Sequence, residues 1–104
     1  MELNEFLEIS ILLGYYGELL SDKQRTYMEE HFEEDYSLSE IAKSHGISRQ
    51  AVYDNIKRGM KILKSYEEKI GFFRREKEII SSLQELKENY SESKLDSLIS
   101  SFDI

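Results

Sequence analysis

The sequence predicts an all-α protein: a helix-turn-helix core with an N-terminal helix and a helical C-terminal extension. Three observations support this fold class. The chain has 104 residues and contains no proline, so the strongest helix breaker is absent. Apolar residues recur at steps of three and four along most of the chain, which is the spacing of one helix face. The segments 21–24 and 37–40 read Ser-x-x-Gln and Ser-x-x-Glu, as capping boxes at helix starts do.

The first predicted helix spans about residues 2–19, and the second about residues 22–34. The expected buried face of the first helix consists of Leu3, Phe6, Leu7, Ile11, Leu13, Tyr16 and Leu20. The second helix is expected to turn Tyr27, Met28, His31 and Phe32 inward. Tyr15 and Tyr16 have two interpretations, core packing between these helices or a protein-docking or dimer patch. Core packing is favoured, because a buried tyrosine needs only one partner for its hydroxyl.

Residues 37–63 have the pattern of a helix-turn-helix. Ala42 is the small residue required where the two helices cross, and Gly46, four positions later, can adopt the positive φ that the turn needs. Ser48 is placed to cap the second helix of the motif. The apolar anchors beneath both helices are Leu38, Ile41, Ile47, Val52 and Ile56. The spacing therefore predicts this motif, and such a unit can contact either nucleic acid or protein.

The helix that follows Ser48 carries a long apolar face with a heptad rhythm. Its members are Val52, Ile56, Gly59, Leu63, Tyr66, Ile70 and Phe73. Gly71 is expected to kink or end the helix, and a further helix is expected over about residues 72–89. A short last helix contains Leu95, Leu98, Ile99 and Phe102. We therefore expect a helix-turn-helix domain at 1–70 and a helical extension at 71–104 in one compact unit. The length of the apolar face predicts a homodimer.

Basic residues are concentrated in the middle of the sequence, although the net charge is −7. Residues 2–40 hold 11 acidic and 2 basic residues, whereas residues 41–64 hold 6 basic residues and 1 acidic residue. Residues 65–104 have a net charge of −3. A basic block between two acidic ones indicates a local contact surface on a chain that otherwise repels polyanions.

The exposed side of the helix after Ser48 is the candidate nucleic-acid-binding surface. If Val52 is at the centre of the buried face, the rotation of about 100° per residue places polar and basic side chains opposite. Arg49 and Gln50 are expected to reach guanine and adenine edges, and Tyr53 to stack or to contact a thymine methyl group. Ser48, at the positive end of the helix, is expected to donate to a phosphate. The expected phosphate-binding side chains are Lys43, Lys57, Arg58 and Lys61.

The same basic residues have a second interpretation. They can form an ordinary solvated helix face whose lysines pair with Glu67 and Glu68. The exposed Tyr53 within the basic stripe favours a contact surface. Asp54 opposes it, because its carboxylate would face the polyanion unless it accepts a hydrogen bond from a cytosine amino group.

Several function classes lack their sequence signatures. There is no cysteine, so disulfides, thiolate metal sites and cysteine nucleophiles are excluded. The five glycines form no phosphate-binding loop, and no nucleophile is placed with a base, so we expect neither enzyme activity nor a cofactor. His31 and His45 lack metal-ligand spacing. The longest apolar stretch, residues 9–16, is far shorter than the roughly 20 residues of a membrane span, and the acidic N-terminus is unlike a signal peptide.

The segments GYYGELL and LSDKQRTYMEEHFEEDYSLSEIAKSHGISRQAVYDNIKRGMKIL resemble the YlxM-like proteins of low-GC bacteria. The resemblance is close over about residues 11–70 and is most specific in SRQAVYDNIKR. It implies a small cytoplasmic helix-turn-helix protein, usually encoded beside the GTPase of the signal recognition particle. The motif of this family is similar to that of region 4 of sigma factors, which implies a tri-helical core without a wing.

Two functions are compatible with this resemblance and with the basic stripe. The first is a regulatory protein of the signal recognition particle pathway that binds nucleic acid, either DNA or the RNA of the particle. The alternative is an accessory protein that contacts the GTPase of the particle without physiological DNA binding. The sequence does not distinguish them.

Overall fold

The computed structural model of the protein describes residues 1–102, and within these residues the fold is all-α, as predicted. Five helical segments form a first compact unit, Met1–Gly71. These are α1 (Leu3–Tyr16), a short 3₁₀ helix (Gly17–Leu19), α2 (Asp22–Phe32), α3 (Leu38–His45) and α4 (Arg49–Ile70). A second unit begins at Phe72 and contains α5 (Phe72–Glu88) and α6 (Glu92–Ser100). That the extension and the first unit form one compact body stays a prediction.

Both predicted capping boxes are present. The backbone N–H of Gln24 donates to Ser21 Oγ at 3.3 Å, and the N–H of Ser21 donates to Gln24 Oε1 at 3.3 Å. Ser37 and Glu40 repeat this arrangement at 3.1 and 3.0 Å. The N–H of Ser37 lowers the pKa of the Glu40 carboxyl. This cap therefore stabilises α3 at pH values above the ordinary pKa of a glutamate carboxyl. Its contribution is lost as the pH falls through the lowered pKa.

The predicted buried face of α1 is partly wrong. Its buried residues are Ile9, Leu12, Leu13 and Tyr16, and Phe6 is half-buried. Leu3, Leu7 and Ile11 were expected to point inward and are instead exposed. The physical reason is that α1 is apolar on both sides, so periodicity alone cannot decide which side packs on the rest of the unit.

Aromatic side chains pack around the ends of α1 and α2. The rings of Phe6 and Phe32 lie 4.8 Å apart, and Tyr27, Met28 and Phe32 of α2 are buried as expected. Tyr16 is 1% exposed, and its hydroxyl donates to Glu67 Oε1 at 2.8 Å. The core role predicted for the tyrosine pair is therefore confirmed for Tyr16 and is wrong for Tyr15, which is exposed.

The apolar face of α4 crosses the other helices of the first unit. Val52, Ile56, Gly59 and Leu63 are buried, as predicted. At Gly59 α2 comes so close that a Cβ atom would overlap Met28 Sδ, so a larger residue there requires the methionine side chain to move. The later members of the predicted heptad face are less covered: Tyr66 and Phe73 are half-buried and Ile70 is exposed. Gly71 ends α4 with a left-handed backbone, φ 73°.

The second unit is a pair of helices with a thin core. None of its described residues is buried, and Leu86, Leu95 and Leu98 are half-buried. Ser91 caps α6, its Oγ accepting from the backbone N–H of Lys94 at 3.2 Å. The bounds of α5, Phe72–Glu88, agree with the helix predicted over about residues 72–89.

Candidate nucleic-acid interface

The turn between α3 and α4 has the geometry that the sequence predicts. Gly46 adopts a left-handed backbone with φ 66° and ψ 34°. The backbone N–H groups of Gly46 and Ile47 both donate to the carbonyl of Ala42, which satisfies the end of α3. Ala42 itself is buried. A larger side chain at Ala42 would separate the two helices of the motif.

Ser48 determines where α4 begins. Its Oγ accepts from the backbone N–H of Ala51 at 3.0 Å, so Ser48 is the N-cap that was predicted. Its side chain is exposed. The uncapped N–H groups of the first turn and the positive end of the helix dipole therefore face solvent, where an anion can approach.

One side of the first half of α4 is exposed to solvent, because its opposite side is buried against the other helices. The structure places all of the predicted site residues in exposed positions: Lys43 on α3, and Ser48, Arg49, Gln50, Tyr53, Lys57, Arg58 and Lys61 along α4. Arg49, Tyr53, Lys57 and Lys61 follow each other at steps of four, so they form one ridge on the helix surface. We call these four residues the basic ridge.

The ridge contains a cation–aromatic contact. The Nζ atom of Lys57 lies 5.8 Å from the centroid of the Tyr53 ring, within the range of a cation–π interaction. Tyr53 is 42% exposed. An exposed aromatic ring beside a cation is the arrangement that nucleic-acid-binding surfaces use to combine base stacking with phosphate binding.

Gln50 and Asp54 form a second contact on α4, beside the ridge. The Nε2 atom of Gln50 donates to Asp54 Oδ1 at 3.0 Å, and Asp54 is half-buried. Gln50 can therefore form the predicted hydrogen bonds to an adenine only if its amide breaks the hydrogen bond to Asp54. Arg49 makes no such contact among residues 1–102, so it is the side chain better placed to reach a base edge.

The charges of the basic ridge and of the neighbouring Arg58 are not neutralised by nearby carboxylates. Within the described part of the chain, Arg49, Lys57, Arg58 and Lys61 form no ion pair. Lys64, one turn further along, pairs with Glu5 Oε1 at 3.2 Å, and Glu67 accepts the Tyr16 hydroxyl. The open positive charge favours a contact surface over a self-paired helix face.

One contact that sequence reasoning missed joins α3 to α2. The Nε2 atom of His45 lies 2.8 and 3.0 Å from the two carboxylate oxygens of Glu30, and its ring meets Tyr27 edge-on at 5.0 Å. We call this the His45 clamp. No sequence signal pointed to it, because His45 and Glu30 are 15 residues apart and share no motif.

The comparisons with known proteins bear on this motif. The family model described as "Putative helix-turn-helix protein, YlxM / p13 like" matches residues 3–101. The chain belongs to this YlxM / p13 like family. The UPF0122 protein FN1394 of Fusobacterium nucleatum is 52% identical over 99 residues, which cover 95% of this chain and 96% of that protein. The UPF0122 protein YofM of Lactococcus lactis is 47% identical over 91 residues, covering 88% and 82%.

Membership of the YlxM / p13 like family agrees with the helix-turn-helix of α3 and α4. The match of the family model to residues 3–101 also covers most of the second unit. The resemblance described from the sequence is close only over about residues 11–70. Among residues 1–102, no group of three potential metal ligands converges, and no helix in this range is long and apolar enough to cross a membrane.

Proposed function

We propose that this protein is a non-catalytic regulatory protein that binds nucleic acid through the basic ridge. The observation that carries the proposal is the unpaired positive charge of Arg49, Lys57 and Lys61 around the exposed ring of Tyr53, on the second helix of a helix-turn-helix. In such motifs the N-terminal part of the second helix contacts base edges. The bound polymer is DNA or a structured RNA.

Each side chain of the surface has a role in this proposal. Arg49 binds a guanine edge, and Tyr53 stacks on a base or contacts a thymine methyl group. Lys57, Arg58 and Lys61, with Lys43 from α3, bind phosphates. Ser48 and the N–H groups of the first turn of α4 receive one further phosphate.

The pathway and the partners belong to the same proposal. The resemblance to YlxM-like proteins supports a cytoplasmic role with the signal recognition particle, whose RNA is then the second candidate ligand. A protein-only contact with the GTPase of the particle is favoured by a different observation, the net charge of −9 over residues 2–40. That charge weakens attraction to any polyanion.

A salt titration tests whether the ridge binds nucleic acid. Fluorescence anisotropy of a labelled 30-base-pair DNA duplex and of an RNA hairpin would be measured between 50 and 200 mM KCl. About five phosphate contacts predict a slope of about −4 to −5 for DNA in the plot of log association constant against log salt concentration. No binding of either probe at 50 mM KCl and 100 μM protein would contradict the proposal and favour the protein-only contact.

Asp54→Asn is expected to strengthen binding to both probes by about three- to tenfold at 100 mM KCl, because one negative charge leaves the surface that faces the phosphates. The asparagine amide can still accept a hydrogen bond from Gln50. Glu68→Gln, which removes a charge from an exposed position later on α4, serves as the matched control and is expected to change binding much less. Equal effects of the two substitutions would mean that only the overall charge matters.

The homodimer also stays a prediction, and fewer apolar residues are available for it than the sequence indicated. Val52, Ile56, Gly59 and Leu63 are covered by the first unit itself. The apolar residues of the predicted face that remain exposed or half-buried begin at Tyr66.

A further inference from the structure

The outer side of α1 carries an apolar ridge that the proposed function does not use. Leu3 is 73% exposed, Leu7 51% and Ile11 41%. They follow each other at steps of four and lie opposite the buried side of the helix. Three large aliphatic side chains in a row on an exposed helix face are typical of a surface that another helix covers.

Gly14 continues this line and has no packing role within the described residues. A Cβ atom built on Gly14 would have no atom within 4 Å, and the residue lies inside α1 with an ordinary helical backbone. A glycine at such a position lowers helix stability relative to alanine. Gly59 differs, because the nearby Met28 explains its missing side chain. The absence of a side chain at Gly14 therefore suits the close approach of a helix from outside.

The margins of this surface are acidic. Glu8 is exposed beside Leu7 and Ile11. A groove next to Gly14 is lined by Glu18, Glu29 and Glu33, with Arg25 as its only cation, and Arg25 is paired with Glu29 at 2.6 Å. An occupant with basic margins would therefore be attracted, whereas a second copy of α1 would bring like charges together.

We infer that Leu3, Leu7, Ile11 and Gly14, the α1 ridge, bind an amphipathic helix with lysine or arginine margins on a partner protein. The partner helix crosses α1 at Gly14, places its apolar side chains between those of the ridge, and sets its basic residues against Glu8, Glu18 and Glu33. This site is distinct from the basic ridge of α4 and has the opposite charge. The protein then has one surface for a polyanion and another for a cationic helix.

A pair of synthetic helical peptides tests the inference. Both have 18 residues with leucines on one face; one carries lysines at the margins of that face and the other carries glutamates at the same positions. Binding to the full chain would be measured by anisotropy at 150 mM KCl. We expect the lysine peptide to bind at least tenfold more tightly than the glutamate peptide.

Gly14→Leu is the decisive variant, because it blocks the close approach without changing the charge of the protein. We expect it to weaken binding of the lysine peptide at least tenfold, while helix content and nucleic-acid binding stay at the level of the parent protein. Ser39→Leu adds the same side chain at an exposed position of α3 and is the matched control, with binding unchanged. Leu7→Gln is a second, independent variant on the ridge and is expected to weaken binding as well.

Two results would overturn the inference. If the lysine peptide binds the parent chain, Gly14→Leu and Leu7→Gln equally, only the overall negative charge attracts it. If sedimentation velocity shows a dimer of the parent chain at 20 μM and a monomer of Gly14→Leu, the ridge is occupied by a second copy instead of a cationic partner. Loss of nucleic-acid binding in Arg49 or Lys57 variants leaves this test unaffected, so the two proposals can fail separately.

Discussion

Gly59→Val is expected to destabilise the protein by about 3 kcal/mol, because it inserts a branched side chain where two helices are already in contact. A Cβ atom alone would overlap Met28 Sδ, and Met28 is fully buried. The methionine therefore has little room to move away. Urea unfolding followed by circular dichroism at 222 nm measures the change in the free energy of unfolding.

A double-mutant cycle shows whether this contact is the cause. Met28→Ala removes the clashing atom, so Gly59→Val should cost about 2 kcal/mol less in that background. Gly14→Ala is the matched control: it also replaces a glycine inside a helix, but in open space, and should stabilise the protein by about 0.5–1 kcal/mol. If the costs of Gly59→Val and Met28→Ala simply add, then the crossing of α2 and α4 is not the origin of the effect.

The combined substitution of Arg49, Tyr53 and Lys57 by alanine is expected to weaken nucleic-acid binding about 100-fold at 100 mM KCl. The variant loses two cations and one stacking ring from the basic ridge. It should also lower the salt slope by about 1 in magnitude, because the phosphate contact of Lys57 disappears. Anisotropy titrations of the DNA and RNA probes at several salt concentrations measure both quantities.

A control with the same loss of charge is available elsewhere in the chain. Lys69, Lys87 and Tyr90 are all exposed, and their joint replacement by alanine removes two cations and one tyrosine away from the ridge. This variant should keep the salt slope within about 0.5 of the parent value. Unchanged affinity of the ridge variant would count against α4 as the binding surface.

The local features of the fold were predictable because short stretches of sequence determine them. The starts of α2, α3 and α4 follow from Ser21, Ser37 and Ser48, whose side-chain oxygens bond to N–H groups three residues later. The turn at Gly46 needs only a residue that tolerates positive φ. All the site residues predicted on α4 are exposed, because Val52 and its partners fix the rotation of that helix.

Features that depend on long-range packing were harder to predict from the sequence. Leu7 and Ile9 are both apolar, and only the position of α2 and α4 determines that Ile9 is buried and Leu7 exposed. The His45 clamp requires α2 and α3 to be placed side by side before Glu30 becomes a neighbour. The bond between Gln50 and Asp54 has helical spacing, but the sequence does not indicate whether Asp54 bonds to Gln50 or faces a ligand.

The His45 clamp affects how far the binding surface is already ordered before a ligand binds. Together with the turn at Gly46 it joins α2, α3 and the start of α4, so the orientation of α4 is set in the free protein. Under the proposed function, a stiff ligand such as a duplex would dock on a preorganised surface and little backbone entropy would be lost on association. Ligands of equal charge are then expected to associate at similar rates, because the protein does not have to refold on encounter. Differences in their affinity are expected in their dissociation rates.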